Sequence, residues 1–245
     1  MSNYKYPTPQ LLLKAICNAI RAKTGSNDKI AHQDIPDSIN NILTEEECEV
    51  ESQKLLDIIY GKDMKILDNK YISNIPNSRF YHNNKITTVN LPKCTSIRYA
   101  AFTGCTSLTT VNLPECIYME AWSFKNCTNL TTINLPECTS IGDEAFDRCT
   151  SLTTVNLPEC TSIGGYAFSN CTNLPTVILS NNQVVSLNNI NAFTSSPIGN
   201  GRGCIYVPDN LVDSYKSDTN WSTYANRIKP LSELPSNLKE EYGYD

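Results

Sequence analysis

Apolar residues recur with a period of 22 along the centre of the chain. Four successive units begin at Ile86, Leu108, Leu130 and Leu152, and a degenerate fifth unit begins at Leu174. Each unit opens with the spacing LxxLxL, typical of a strand with one buried face. The three apolar columns of this segment are Ile86, Leu108, Leu130, Leu152 and Leu174; Val89, Val111, Ile133, Val155 and Val177; and Leu91, Leu113, Leu135, Leu157 and Leu179.

The second half of each unit adds an aliphatic column and a phenylalanine column in the same register. Ordering a residue costs roughly 1 to 2 kcal/mol in backbone entropy, whereas a buried aliphatic side chain returns only about 1.5 to 3 kcal/mol. A single unit cannot bury its own apolar face, so we predict a stacked solenoid with parallel strands, one per 22-residue coil. The two added columns are Ile97, Met119, Ile141 and Ile163; and Phe102, Phe124, Phe146 and Phe168.

The ends of the array are irregular. Ile75 and Phe80 lie one period before Ile97 and Phe102, which indicates a worn half-unit beginning near Met64. Phe193 lies three residues later than the period requires. Because terminal repeats cap the core and are usually atypical, we place the solenoid at residues 62–200.

Four flanking segments complete the predicted organisation. Thr8 and Pro9 favour a helix start, and Thr44 with Glu47 forms a capping box. After the array, we predict a strand at 205–207 and then a helix that presents Trp221, Tyr224 and Ile228 on one face. The predicted segments are a helical N-terminal module at 1–43, a capping or connecting helix at 44–61, a strand-helix C-terminal cap at 201–232 and a flexible tail at 233–245.

Eight of the eleven cysteines form two columns within the repeat. Stacked neighbours point the same way and are spaced by about 4.8 Å, which suits a disulfide poorly. We interpret them as buried free thiols, with some disulfides or a metal site as alternatives. Zinc is the weaker alternative because His32 and His82 lie outside the columns. The columns are Cys94, Cys116, Cys138 and Cys160; and Cys105, Cys127, Cys149 and Cys171.

Uncharged polar residues separate the apolar positions of each strand, and alternation sends some of them to the outer, concave face. They have a structural interpretation, because Thr favours strands and Asn favours turns. The alternative is a contact surface for a glycan or peptide. These candidate binding residues are Thr87, Thr88, Asn90, Thr109, Thr110, Asn112, Thr131, Thr132, Asn134, Thr153, Thr154 and Asn156.

The repeat pattern LPxCTSIGxxAFxxCTxLTTV resembles the bacterial leucine-rich repeats of BspA-like, treponemal-type surface proteins. The resemblance covers about residues 64 to 200 and implies a leucine-rich-repeat solenoid that serves adhesion or ligand capture. The segment AICNAIRAKTGSNDKIAHQDIPDSINNI, at residues 15–42, resembles N-terminal segments of structural proteins from phages of Firmicutes. That second resemblance implies assembly into a virion, with contacts to other virion proteins through residues 1–61. The alternative is a cap for the solenoid.

Charge and motif content exclude several functions. The net charge of −5 carries no long basic run, so we expect no nucleic-acid partner. We find no apolar run long enough for a membrane span and no signal-peptide core, and expect a virion, extracellular or cell-surface location. The histidines lack sequence partners, Asp143 and Glu144 occur in one unit only, and Gly164–Gly165 is no phosphate loop. We therefore predict a non-enzyme without catalytic residues, cofactors or metal.

Three functional hypotheses follow. The first is a phage or prophage tail-associated protein that recognises a protein or glycan on a cell surface. The second is a bacterial surface adhesin or secreted effector. The third is a purely structural spacer.

Overall fold

The computed structural model describes residues 64–70 and 72–244, and Lys65–Asp245 form one compact unit. The helical module expected at 1–43 and the helix expected at 44–61 lie outside the described residues. The proposed virion contacts through residues 1–61 therefore lie outside them as well.

Each coil contributes two short parallel strands, where the sequence predicts one. Because every partner residue lies in the same column of the next coil, Val89 pairs with Val111 and Ile97 with Met119. The first ladder contains β1 (Ile66–Asp68), β3 (Thr88–Asn90), β5 (Thr110–Asn112), β7 (Thr132–Asn134), β9 (Thr154–Asn156), β11 (Thr176–Ile178), β13 (Cys204–Val207) and β14 (Ile228–Pro230). The second contains β2 (Asn74–Ile75), β4 (Ser96–Ile97), β6 (Tyr118–Met119), β8 (Ser140–Ile141), β10 (Ser162–Ile163) and β12 (Ser186–Leu187).

The two ladders differ in continuity. The second runs through all six of its strands, from β2 to β12. The first is divided into two four-stranded sheets, one of β1, β3, β5 and β7 and the other of β9, β11, β13 and β14. Ile133, the central residue of β7, is half-buried, whereas its column neighbours Val111 and Val155 are buried.

The third side of each coil is a turn segment stacked without regular strands. The N–H groups of Ala100, Phe102 and Gly104 donate to carbonyls of the next coil, over 2.7 to 3.0 Å. Two residues per coil adopt a left-handed conformation, at the positions of Ala100 and Gly104. Beneath this turn the phenylalanine rings stack with centroids 5.0 to 5.6 Å apart, from Phe80 to Phe193. This stack confirms the predicted half-unit at the start of the array.

The cysteine columns are buried, and all eight thiols are free. Each Sγ lies within hydrogen-bond distance of a carbonyl. In one column Cys94 donates to the carbonyl of Ser96, two residues later, over 3.3 Å. In the other, Cys105 donates to the carbonyl of Phe80, in the preceding coil, over 3.0 Å. Cysteine therefore fills a small apolar space and also satisfies a carbonyl group, which Ala or Val could not do.

The C-terminal cap closes the apolar end of the stack. Helix α1 (Val212–Ser217) and the 3-10 helix Trp221–Arg227 follow β13, with further 3-10 turns at Asp209–Leu211 and Leu231–Glu233. Trp221 is fully buried, and its Nε1 donates to the Val185 carbonyl over 2.6 Å. Ile228 lies in strand β14 rather than on the predicted helix, because its backbone extends the first ladder beyond β13.

Within the predicted flexible tail at 233–245, the structure contains a helix and a contact to the first ladder. Ser236–Tyr242 form helix α2, and Gly243 ends that helix in a left-handed conformation. Tyr244 then reaches back to the first ladder. Its hydroxyl donates to Asn156 Oδ1 over 2.9 Å and lies 2.8 Å from Ser180 Oγ. Polar composition alone did not reveal these contacts.

Candidate recognition surfaces

The predicted polar positions lie along the first ladder, on a surface that we call the strand face. Its rows consist of Thr88, Asn90 and their equivalents on β5, β7 and β9. These side chains are half-buried or exposed, while the valine or isoleucine between them points inward. Thr87, Thr109, Thr131 and Thr153 border this face at the start of the strands.

Many polar groups of the strand face bond to one another. Asn90 Nδ2 donates to Asp68 Oδ1 over 2.9 Å, Asn112 donates to Asn90 over 2.7 Å, and Asn134 donates to Asn112 over 2.8 Å. Thr87, Thr109 and Thr131 each donate their hydroxyl to a carbonyl of the preceding coil, over 3.0 Å. These bonds explain why the columns are uniform. They also leave mainly Thr88, Thr110, Thr132 and Thr154 to meet a ligand.

The strand face is not continuous. The amide ladder runs as far as Asn134, and Asn156 instead accepts a hydrogen bond from Tyr244. The structure thus brings together the candidate residues of the first three rows. It separates from them the row of Thr153, Thr154 and Asn156, which belongs to the second sheet of the first ladder and in which Asn156 contacts Tyr244.

A second surface lies along the turn segments, and we call it the turn face. In contrast to the strand columns, its columns change from coil to coil. Ala100, Trp122, Glu144 and Tyr166 occupy one left-handed position, and Thr103, Lys125, Asp147 and Ser169 occupy another column. Tyr99 is 40% exposed and Tyr166 is 43% exposed, which is unusual for large aromatic side chains.

Lys125 links the aromatic and charged parts of the turn face. Its Nζ lies 5.0 Å from the centroid of the Trp122 ring, which itself lies 5.3 Å from the ring of Tyr99. The same Nζ forms ion pairs with Glu144 and, over 3.3 Å, with Asp147. Burial alone lowers the pKa of Lys125, but the hydrogen bonds that its ammonium group donates to the two carboxylates outweigh this effect and raise that pKa. Lys125 therefore stays charged at physiological pH.

Next to Lys125 the turn face forms an open depression of about 670 Å³. Asp147, which is 5% exposed, forms part of its lining and accepts a hydrogen bond from Asn170 Nδ2 over 2.9 Å. The Tyr166 hydroxyl accepts a hydrogen bond from Asn191 Nδ2 over 3.1 Å, which fixes the ring at the edge. The principal lining residues are Lys125, Asn126, Glu144, Asp147, Arg148 and Tyr166.

The turn face was not predicted from the sequence, because Asp143 and Glu144 occur in one unit only and were interpreted as variation of that unit. The available signal was the contrast between columns. A position that is Ala, Trp, Glu and Tyr in four stacked coils is not constrained by the stack, whereas a column of threonines is. Where residue changes from repeat to repeat are confined to one face of a solenoid, that face is a candidate binding surface.

Among the described residues, no group of three or more His, Cys, Asp and Glu side chains could hold a metal ion. In the same part of the chain, no helix has the length and apolar character that crossing a membrane requires.

Stacked coils, two parallel ladders and a uniform apolar core define a leucine-rich-repeat solenoid. The BspA type leucine-rich repeat region matches residues 73–198 in six copies, and the chain belongs to this family. Proteins of this family are generally surface or recognition proteins. No curated protein has a sequence that matches the chain.

Solved structures with a similar fold include two leucine-rich-repeat proteins. The chain is similar to a T. pallidum leucine-rich repeat protein, at 27% identity over 58% of this chain and 74% of that one, with a TM-score of 0.44. It is also similar to a leucine-rich repeat protein from Bacteroides ovatus, at 20% identity and a TM-score of 0.52. That match covers 69% of this chain and only 43% of the Bacteroides protein, and it supports the fold alone.

Proposed function

We propose that this chain is a non-catalytic recognition protein that binds a protein or glycan on a cell surface. One observation carries the proposal: the turn face presents exposed aromatic and charged side chains that the stack does not require. Ala100 occupies the same left-handed position as Trp122 and Tyr166, so the backbone there accepts a small residue. Exposed aromatic side chains beside charged groups are typical of interaction surfaces.

The strand face is a second, broader contact surface in this proposal. Its threonines offer uncharged hydrogen-bonding groups, and the neighbouring asparagine side chains on the first three rows bond to one another along the stack. A rigid surface binds with a smaller loss of conformational entropy than a flexible one. The candidate residues at Thr88, Thr110, Thr132 and Thr154 keep this role.

The proposal is tested by binding to whole cells. The fluorescently labelled 245-residue chain is titrated onto a panel of Gram-positive, Gram-negative and epithelial cells, with binding measured by flow cytometry. Recognition predicts saturable binding to at least one cell type, competed by unlabelled protein. Absence of saturable binding across the panel would contradict recognition and favour the structural spacer.

Substitution of the strand face separates the two surfaces. Replacing Thr110, Thr132 and Thr154 together with Lys adds three solvated charges to that face without touching the turn face. If the strand face is a contact surface, the triple variant loses cell binding. Unchanged binding removes the strand face from the proposal and leaves the turn face.

A phage or prophage tail-associated role is favoured by the segment at residues 15–42. We propose this role as a specific case of cell-surface recognition, and a bacterial surface protein or secreted effector as its alternative. Mass spectrometry of purified phage particles from the source strain separates them. The chain co-purifies with tail proteins in the first case and is found only in cell-surface or secreted fractions in the second.

A further inference from the structure

We infer that the turn face binds an uncharged, extended β-linked oligosaccharide, laid across successive coils between the Tyr99–Trp122 pair and Tyr166. This inference rests on the proposed recognition function and names the ligand class and the site. Three features of the turn face support it: the aromatic residues at its two ends, the balanced charges between them and the spacing of the coils.

Aromatic residues lie at the two ends of this part of the turn face: Tyr166 lines the depression, and Trp122 lies outside its lining but next to Lys125. Tyr99 and Trp122, on adjacent coils, make one apolar shelf, and Tyr166 stands two coils beyond Trp122. The ring of Tyr166 is fixed through its hydroxyl by Asn191. A pyranose ring has a face of C–H groups that packs against an aromatic side chain, and its hydroxyl groups lie around the edge.

The polar residues between these ends suit hydroxyl groups. Carboxylates accept hydrogen bonds, Lys and Arg donate them, and an asparagine amide does both, so adjacent hydroxyls of one sugar can be bound from two sides. Asp147 is buried and held by Lys125 and Asn170, which fixes the direction of its remaining lone pairs. Such preorganised groups provide orientation within a shallow site.

The charges of the depression favour an uncharged ligand. Its two carboxylates, Glu144 and Asp147, are matched by Lys125 and Arg148. Lys125 pairs with both acids, and Arg148 Nε lies 3.8 Å from Asp147. An anionic glycan or a highly charged peptide would have to compete with these internal pairs, whereas a neutral sugar adds hydrogen bonds without disrupting them.

The spacing of the coils favours an extended chain over a coiled one. Stacked phenylalanine rings beneath the turn face have centroids 5.0 to 5.6 Å apart, and neighbouring strands in a sheet lie about 4.8 Å apart, so each coil advances by about 5 Å. An extended β-linked glycan advances by a similar distance per sugar, the length of one pyranose ring. One sugar therefore meets each coil, and rings two sugars apart reach Trp122 and Tyr166.

The test is direct binding of cellohexaose and chitohexaose to the full chain by isothermal titration calorimetry. The inference predicts that at least one of these neutral hexasaccharides binds. Because each aromatic end supplies packing area, Trp122→Ala and Tyr166→Ala should each weaken binding by about tenfold. Tyr118→Ala is the matched control, because Tyr118 is 56% exposed on the second ladder and lies outside the turn face.

Failure of both hexasaccharides to bind would overturn the inference, as would equal weakening by Tyr118→Ala. Stronger binding of hexagalacturonate, an acidic probe, would overturn the assignment of an uncharged ligand. The two proposals fail separately. Saturable cell binding without any hexasaccharide binding rejects the inference alone, whereas loss of cell binding across the panel rejects the recognition function.

Discussion

Buried cysteine side chains determine how the core responds to alkaline pH. Desolvation is the main cause that raises the thiol pKa, and Cys94, Cys105, Cys138, Cys160 and Cys171 each reach a pKa of about 12. The pKa of Cys127 and Cys149 is raised as well, again chiefly by desolvation. At neutral pH the thiols are therefore protonated donors and poor nucleophiles.

We predict that the free energy of unfolding falls steeply between about pH 9 and pH 11. The folded thiol pKa lies above the unfolded value, so the unfolded state binds fewer protons in this range. Stability is complete below the unfolded pKa and is lost as the pH rises toward the folded pKa. Each thiol contributes about 1.4 kcal/mol per pH unit to this fall in the free energy of unfolding. Urea unfolding followed by circular dichroism at successive pH values measures the slope.

A matched variant assigns this slope to the thiols. Cys105→Ala removes one titrating group near the end of its column. The variant should therefore lose about 1.4 kcal/mol per pH unit from the slope of the unfolding free energy against pH, the contribution of one proton. An unchanged slope would show that other groups, such as the tyrosines, dominate alkaline unfolding.

The phenylalanine stack carries a second prediction at this scale. Phe146 is fully buried between Phe124 and Phe168, with centroid distances of 5.6 and 5.4 Å. Phe146→Ala should reduce the free energy of unfolding by about 3 to 5 kcal/mol, because it removes packing on both sides and leaves a cavity. Urea denaturation measures the loss. A loss below about 1 kcal/mol would mean that neighbouring coils collapse into the space.

The two strand ladders differ in whether their backbone hydrogen bonds continue along the whole stack. Backbone bonds at the start of the first ladder lengthen along the stack. The distance from Thr87 N to Lys65 O is 2.7 Å, from Thr109 N to Thr87 O it is 2.8 Å, and from Thr131 N to Thr109 O it is 3.0 Å. Among the described residues, no equivalent bond joins Thr153 N to Thr131 O. The first ladder thus opens between β7 and β9, while the second holds the coils together.

Hydrogen exchange should detect this opening. We predict that the amide of Thr153 exchanges faster than that of Thr131, because only the latter donates to the preceding coil. Leu135 should likewise exchange faster than Leu113, whose amide donates to Asn134 O over 3.2 Å. Residue-resolved exchange by NMR provides the measurement. Equal protection within each pair would mean that the first ladder is continuous in solution.

Element boundaries were predictable where the repeat was regular. The spacing LxxLxL predicted the first ladder, and the phenylalanine column contributed to the prediction that the coils stack. The two-residue strands of the second ladder were missed because Ser96–Ile97 and its equivalents are too short to show alternation. Ile228 was misplaced and the contacts of Tyr244 were not predicted, because the backbone pairing of β14 and these contacts depend on residues distant in sequence.

At the scale of the molecule, the residues that build the solenoid and the residues proposed for recognition occupy different columns of the repeat. Uniform columns build the core, the backbone stack and the side-chain ladders. The changing columns of the turn face bring Trp122, Lys125, Asp147 and Tyr166 together from three coils. The sequence shows which columns change. Their proximity follows only from the stacked coils, because residues in neighbouring columns are 22 or more positions apart.

This separation yields a prediction for a single variant. Tyr99, Trp122 and Tyr166 are all replaced by Ala, which already occupies, as Ala100, the left-handed position of Trp122 and Tyr166. Because the stack does not need these rings, the thermal midpoint should stay within a few degrees of the parent value.

Cell binding by this triple variant is the most direct test of recognition through the turn face. We predict that the folded variant loses saturable binding to the cells that the parent chain recognises. Unchanged binding by a variant with the parent thermal midpoint would contradict it, because recognition would then lie outside the turn face.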